Sequence, residues 1–472
     1  MATMPDRPEG FRGPFADGPT AAALTVAAPS LTRFGLAELI RMIFALVLMP
    51  TLIVVALVRW LPRPNRRPMA EAASGGLVSA LVRLGPTYVK FGQLIACTPG
   101  IFPDELADAC QSCLDDVPPF SPAQARRAIE ADLGRPIREL FSIFEERPLS
   151  AASIAQVHGC VLPDGRVAVV KVQRPDIRRR MTTDLRIAYR LARILELLLP
   201  TARIANVVAI VEDLHAVTFA ELNPVLEASR QHRFRAAIAT FGDNRWVTAP
   251  EVYWDYCGHD VICMERLFGR PLDEFAATQT LGSQSELILR RGVKVWLEAV
   301  TMHGPFHGDV HAGNLWVLAD GRLAFLDFGI VGELDEQWRQ SLRDILYTLL
   351  VDRDFTRIAR NFRRLGVVNA ASGSDEQVAL RLQLIAAPLL EAGIGSFRLG
   401  DIVTAFLRFG RDFDGASPRE LVLFGKQLAY FERYSKDFAP AWVPMADPWL
   451  FRNIFPVETA AIATDRGISY PD

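Results

Sequence analysis

The segment Phe306 to Gly329, FHGDVHAGNLWVLADGRLAFLDFG, carries three oxygen-bearing side chains whose spacing could do chemistry: Asp309, Asn314 and Asp327. Two short apolar runs, Leu315 to Leu318 and Leu323 to Leu326, flank Asp320-Gly321, and Asp-Gly between β-prone runs is a strong hairpin signal. Asn314 then enters the hairpin and Asp327 leaves it. An amide oxygen and a carboxylate converge at the open end, with Asp309 on the turn just before. Such a cluster suits a hard divalent cation, because Mg²⁺ is held by one or two protein oxygens with the rest of its shell left to water and phosphate. The same hairpin is also common as plain scaffold. His303, His307 and His311 recur at i, i+4 and i+8, as a zinc-binding helix face would need, but Gly304, Pro305, Gly308 and Gly313 interrupt any such helix.

The order H-x-D-x-x-x-x-N and then D-F-G is that of the protein-kinase catalytic loop and metal-binding motif. His307 and Asp309 match it, whereas Gly308 stands where a kinase has Arg and no A-P-E triplet follows Asp327. Both departures argue against a phosphorylated activation-loop switch. Upstream, Pro148 to Gln173 (PLSAASIAQVHGCVLPDGRVAVVKVQ) reads as two strands around an Asp-Gly turn. A kinase puts glycines at its start so that backbone N–H groups can approach phosphate closely. Here Ser150, Ala152, Ala155 and Val157 occupy those offsets, and alanine does not adopt positive φ freely, so the loop is expected to be stiffer. Lys171 ends VAVVK. Alone, a strand-end lysine is a solvated charge; after this loop and before D-F-G it reads as the phosphate-binding amine. Val261 to Leu272 reads as a strand and turn joining two lobes, where Met264 and Glu265 would offer backbone groups to an adenine.

One further block makes a resemblance specific. Lys90-Phe91-Gly92-Gln93, within LGPTYVKFGQLIACTPGIFPDELADACQSCLDDVPPF, resembles the K-x-G-Q motif of the UbiB/AarF family of atypical kinases, and the DDVPPF ending is similar to that family as well. The alanine-rich loop, VAVVK and D-F-G fit the same family, and the likeness covers about residues 75 to 435. The resemblance implies that the K-x-G-Q extension (Lys90, Gly92, Gln93) folds over the active site where a protein substrate would bind, and that the loop residues Ser150, Ala151, Ala152 and Ser153 lie over the nucleotide. It also implies that Glu227, in an E-x-D-x-x-x-E-A pattern, is the ion-pair partner of Lys171, and that Glu221 contacts the K-x-G-Q segment. Asn223 replaces the second acid of that pattern, and Pro224 follows, a residue tolerated in the first turn of a helix.

These groups must be positioned by a chain of 472 residues, long enough for two or three domains. Lys plus Arg number 52 against 54 Asp plus Glu, so no basic excess points towards nucleic acid. Six cysteines are too few for a disulfide scaffold. Cys110 and Cys113 form a C-x-x-C inside a helix-like pattern, which gives little support to a redox or metal role. Residues 1–33, rich in Pro, Gly, Ala and Thr, read as a disordered leader. Met42 to Val58 carries no charge and is bounded by Arg41 and by Arg59, Arg63, Arg66 and Arg67. Its length is the lower limit for a membrane span, its Pro50 also permits a kinked or interfacial helix, and a buried soluble helix is the third reading. The arginines that follow it would keep the next domain in the cytoplasm. Between Lys171 and Glu227, periodic stretches such as DLRIAYRLARILELLL predict an inserted helical unit rather than a loop. Beyond Val331 the pattern is helical, including FLRFGRDF and LVLFGKQLAYFERY, with aromatics at core spacing.

The expected fold is α+β and two-lobed, like a protein kinase, with an N-terminal helical extension and a helical insertion in the N-lobe. Its parts are a leader (1–33), an apolar membrane-associated or transmembrane helix (34–61), the extension (62–145), the N-lobe (146–266), the C-lobe (267–440) and a tail (441–472). The resemblance implies ATP/ADP and Mg²⁺ as cofactors, with Lys171 on phosphate, Asn314 and Asp327 on the metal, and Asp309 positioning or deprotonating the acceptor. It further implies an atypical kinase or ATPase supporting ubiquinone biosynthesis or lipid handling on the cytoplasmic side of the inner or plasma membrane. An isoprenoid lipid or quinone precursor, the membrane and a quinone-biosynthesis complex are the expected partners. Two other readings remain open: a non-catalytic, nucleotide-responsive scaffold, and transfer to protein hydroxyls.

Overall fold

The computed structural model describes residues 11–61, 68–96, 103–112, 119–200, 203, 206–278, 283–369, 371–391, 409, 413 and 419–471. Cys113, Asp115 to Pro118 of the DDVPPF ending, Arg63, Arg66, Arg67 and most of FLRFGRDF lie outside them. In chain order the strands are β1 (Ile143–Phe144), β2 (Ser150–Ala151), β3 (Ala155–Val161), β4 (Val167–Gln173), β5 (Val247–Thr248), β6 (Val261–Glu265), β7 (Gly269–Pro271), β8 (Phe306–His307), β9 (Leu315–Leu318), β10 (Leu323–Phe325) and β11 (Val331–Gly332). The chain divides into two compact units, Met1–Leu226 with Val252–Arg266, and Glu227–Glu251 with Leu267–Asp472.

In the first unit an antiparallel sheet runs β1-β3-β4-β6, with β2 added to β3. Gly165 at φ 88° makes the β3–β4 turn that Asp164-Gly165 announces, since only glycine takes that conformation without strain. Ala168, Val170 and Val172 alternate onto one face and bury against Ala125, Ile129 and Leu133 of the helix Pro122–Leu133. That helix starts in a capping box between Ser121 and Gln124, which satisfies two otherwise unpaired N–H groups. The stretch between Lys171 and the second unit is helical as its periodicity requires: Ile177–Leu198 and Val207–Glu221 pack through Met181, Leu185 and Phe219.

The N-terminal helices Leu36–Trp60, Met69–Leu84, Pro86–Ala96 and Asp104–Cys110 share a small core of Ala45, Val78, Leu81, Tyr88 and Cys110. The first two approach so closely that a Cβ on Gly76 would sit 2.8 Å from the Cα of Ile53. Leu36–Trp60 is the one helix among the described residues long and apolar enough to cross a membrane, with a mean hydropathy of 2.5 and only 6% of its most apolar window buried. Its first turns are nevertheless tied to the insertion: Arg41 pairs with Asp184 at 2.8 Å and Glu38 with Arg186 at 2.9 Å.

The leader differs from its expected disorder over residues 11–33. Phe15 is buried with its ring against His259, Phe11 lies on Tyr256, and Gly13 N–H donates to the carbonyl of Asp255 at 2.9 Å. Two aromatic anchors outweigh a composition that otherwise lacks periodicity.

The second unit centres on Trp296 of the helix Ser283–Glu298, around which Phe306, Phe424 and Phe431 pack. Its four-stranded sheet runs β5-β10-β9-β7, and β8 pairs with β11. The helices Glu336–Tyr347, Phe355–Arg364, Asp375–Glu391 and Arg419–Phe438 follow. The tail joins this core, because Trp442, Trp449, Leu450, Phe451 and Phe455 are all buried in it. Its apolar residues are large and closely spaced, so they have no small-domain alternative to packing here.

Candidate functional site

The hairpin Leu315–Phe325 forms in the register that Asp320-Gly321 dictates, with Leu315 opposite Phe325. Asn314 and Leu326 therefore meet at its open end, where Leu326 N–H donates to the Asn314 carbonyl at 2.8 Å. The Asn314 side chain, nine-tenths buried, donates from Nδ2 to the Asp309 carbonyl at 3.0 Å. That bond commits the amide's donor end to the loop and leaves Oδ1 as the atom that could coordinate a cation. Asp327 follows at φ 58°, a left-handed conformation that non-glycine residues adopt rarely, and its Oδ1 accepts from Gly329 N–H at 3.1 Å. An exposed carboxylate one residue beyond the Asn314–Leu326 pair, with the Asn314 amide oriented by the loop, fits a Mg²⁺ completed by phosphate and water. Among the described residues no group of three His, Cys, Asp or Glu side chains could hold a metal. His303, His307 and His311 fall on a helical turn, a strand and a loop instead of one helix face.

The strip before the hairpin is fixed from several directions. His307 is fully buried; its Nε2 donates to the Leu326 carbonyl at 2.8 Å and its Nδ1 accepts from Asp309 N–H at 3.2 Å. Burial pushes its pKa down, so the ring stays neutral with the proton on Nε2. Trp296 Nε1 donates to the His307 carbonyl at 2.9 Å. Gly308 explains the missing kinase Arg, since a Cβ there would meet Ile330 Cγ2 at 3.0 Å and its carbonyl oxygen at 3.1 Å. Phe328 of the D-F-G triplet is fully buried between His307 and Phe234, at ring distances of 5.0 and 5.1 Å.

Phe234 belongs to the helix Pro224–Thr240, whose second half-turn carries Glu227, 5% exposed. Arg230 on the same helix donates to the Gly329 carbonyl at 3.0 Å, and Arg233 pairs with Glu333 at 2.6 Å, which lowers the Glu333 pKa. Two side chains thus tie the helix to the D-F-G segment. Asn223 caps this helix: its Oδ1 accepts from Leu226 N–H at 3.1 Å while its Nδ2 donates to the Ala23 carbonyl at 2.9 Å. An aspartate could do the first but not the second, so the departure from the E-x-D pattern has a local structural reason.

In the first unit Lys171 lies half-buried in the middle of the sheet, opposite Val157 in β3 and Ile262 in β6. Ser150 and Ala151 form β2, and Ala152 N–H donates to the Ala155 carbonyl at 2.8 Å, so the alanine-rich loop is a closed ribbon. Arg174 clasps it, reaching the carbonyls of Ser153 at 3.1 Å and Ala152 at 3.2 Å. Met264 and Glu265 end β6 opposite Val169 and Ala168. Lys90 contacts the Glu221 carboxylate, and Gly92 and Gln93 follow on the same helix, Pro86–Ala96. Lys171 belongs to the first unit, and Glu227, Asp309, Asn314 and Asp327 belong to the second.

Sequence reasoning read LVLFGKQLAYFERY as a helix but missed that this helix, Arg419–Phe438, reaches the site. Its Lys426 Nζ lies 3.2 Å from Asp309 Oδ1, and Gln427, fully buried, accepts from Val310 N–H at 2.9 Å and donates to the Gly308 carbonyl at 2.6 Å. Tyr434 donates to the Val310 carbonyl at 3.1 Å. One signal was available: a Lys-Gln pair inside the apolar run LVLFGKQLAYF is costly to bury without partners.

A model of the ABC1 atypical kinase-like domain matches residues 112–362. The chain belongs to the ABC1 atypical kinase-like family. The family fold, mixed α and β and kinase-like, here carries the helical extension and insertion described above. The chain is 37% identical to the uncharacterized protein Rv0647c of Mycobacterium tuberculosis over 83% of this chain and 80% of that one. It is 32% identical to the probable protein kinase UbiB of Erwinia tasmaniensis, over 81% of this chain and 69% of that protein. The solved complex of Rv3197 with erythromycin from M. tuberculosis matches 79% of this chain and 97% of its own at a TM-score of 0.51 and 22% identity, a likeness of fold alone.

Proposed function

We propose that this family member is an ATP- and Mg²⁺-dependent atypical kinase or ATPase. The observation that carries this reading is the open end of the hairpin, where Asn314 has its amide oriented by the loop and Asp327 stands exposed beside it. In this reading those two oxygens hold Mg²⁺ against the phosphates and Lys171 binds the α and β phosphates with Glu227 as its partner. Ser150 to Ser153 cover the nucleotide, and Met264 and Glu265 lie beside the adenine. Asp309 positions or deprotonates the acceptor, and Lys426 neutralises charge that develops on the transferred group. Lys90, Gly92, Gln93 and Glu221 form a regulatory contact. Titration of the full chain with Mg-ATP tests this: saturable binding that is lost on omitting Mg²⁺ and in Asp327→Asn supports it, and magnesium-independent or absent binding overturns it.

The acceptor we propose is small and lipid-borne: an isoprenoid lipid or quinone precursor handled at the cytoplasmic side of the inner or plasma membrane, in a quinone-biosynthesis complex. What supports this is the exposed apolar length of Leu36–Trp60 after Arg41, while Glu38 and Arg41 stay engaged with the insertion. Normal quinone and isoprenoid lipid levels in a deletion strain would count against the pathway without touching the ATP site. A scaffold that binds nucleotide without turnover is the second reading. Complementation by Asp327→Asn would select it.

A further inference from the structure

Away from this cluster, the second unit holds a cavity of about 260 Å³. It sits at the closed end of the same hairpin: Trp246, in its wall, accepts at its carbonyl from Leu323 N–H at 2.9 Å, and Val247 pairs with Leu323. None of its lining belongs to the Asp309, Asn314 and Asp327 cluster. It is smaller than the roughly 300–1,000 Å³ of pockets for drug-sized molecules, so it suits a compact ligand.

The wall is rich in donors. Arg245, Arg291, Lys294 and Arg452 line it against one carboxylate among the described residues, Asp243. Asp243 is already shared, because Arg452 contacts it and Lys294 lies 3.2 Å away. Lys294, 2% exposed, is also held by Glu298 at 2.8 Å and Asn244 Oδ1 at 2.7 Å, so it is locked in place rather than free to reach water. Guanidinium groups cover the indole faces, Arg291 at 4.5 Å over Trp246 and Arg452 at 5.1 Å over Trp449. Both indole Nε1–H groups are buried without a hydrogen-bond partner among the described residues, and Trp449 is 3% exposed. Burial lowers the pKa of Lys294, Arg291 and Arg452, with the charge of Arg245 adding to the effect at Arg291. Partly desolvated cations converging on one cavity carry a free-energy cost that a ligand supplying negative charge would offset.

We propose that this cavity is a second ligand site, specific for a phosphate group, either inorganic phosphate or a small phosphomonoester. Arginine forks suit the divergent oxygens of phosphate. A purely structural role, clamping the segment from Trp449 to Tyr470 onto the helix Ser283–Glu298, would need the ion pairs but no anion.

Calorimetric titration of the full chain with inorganic phosphate and, separately, with glycerol phosphate, each against sodium chloride of equal ionic strength, decides between these roles. We expect saturable binding that weakens about tenfold or more in Arg291→Gln and in Arg245→Gln, as the loss of a charge-assisted bond predicts. Asp327→Asn should leave it unchanged, which separates this site from the hairpin's open end. Tighter binding of the ester points to a phosphorylated metabolite, and tighter binding of the free ion to inorganic phosphate. Arg245 is exposed, so its variant reports even if Arg291→Gln loses its fold. Absence of saturation in the millimolar range, equal affinity in a folded arginine variant, or loss of binding in Asp327→Asn would each overturn the proposal.

Discussion

The segment carrying Asp309 in the second unit is fixed by side chains from other elements, Trp296, Gln427 and Tyr434, each bonded to its backbone. The loop Ser150 to Ser153 in the first unit is fixed by its own ribbon and by Arg174. The first arrangement holds a carboxylate and an amide in place before any ligand arrives, which is what electrostatic stabilisation of a transition state requires. The second closes the turn where an ordinary kinase leaves glycine N–H groups open to phosphate. On the proposed function, chemistry would be prearranged in one unit, while phosphate binding in the other would depend more on Lys171 than on loop backbone.

If that contrast is right, the largest effect belongs to the prearranged strip. Asp327→Asn should lower magnesium-dependent ATP turnover by about 10²–10³-fold or more, with the melting temperature little changed because the carboxylate is exposed. Turnover within a few-fold of wild type would break the comparison at its root. Lys426→Met comes next. Removing the ammonium 3.2 Å from Asp309 should cost kcat about 10–100-fold with little change in the KM for ATP, and Lys426→Arg should recover most of it. A change confined to KM would mean that Lys426 only holds the loop.

The contrast also explains what the sequence made legible. Turn chemistry is local, so Asp320-Gly321 and Asp164-Gly165 announced both hairpins, and periodicity announced the insertion helices. Residues 11–33 were misjudged, and the burial of the segment after Phe438 was not foreseen, because their anchors, Phe11, Phe15, Trp442 and Trp449, pack against partners far away in sequence. The same holds at the site: Asp309, Asn314 and Asp327 are within one motif, but Lys426 and Gln427 reach it from a helix more than a hundred residues on. Asn223 looked like a defect in a family pattern until its second hydrogen bond, to Ala23, was visible.

Gln427→Leu sharpens the comparison through stability. It would leave Val310 N–H and the Gly308 carbonyl buried without partners, at about 1–3 kcal/mol each. The melting temperature should drop by roughly 5–15 °C for a unit of this size, along with turnover. Arg174→Met tests the other side. Loss of two bonds to loop carbonyls should raise the KM for ATP about 3–10-fold, the equivalent of one neutral hydrogen bond, and leave kcat close to wild type.

The smallest effect concerns acid. Burial lowers the pKa of His158 in the first unit and of His303 and His307 in the second, each from an ordinary value of 6.5. Above pH 6.5 folded and unfolded chains both carry these rings neutral, and stability does not depend on them. As pH falls below 6.5 the unfolded chain binds protons that the folded chain refuses, so stability declines until the pH reaches the folded pKa values. Melting temperature should therefore be level from about pH 7 to 8 and fall at lower pH. His307→Gln retains a donor for the Leu326 carbonyl but cannot titrate, so its acid slope should be shallower than that of wild type even though its stability at neutral pH is lower. An unchanged slope would show that His307 accommodates its proton, and that the strip around Asp309 is less rigid than its hydrogen bonds imply.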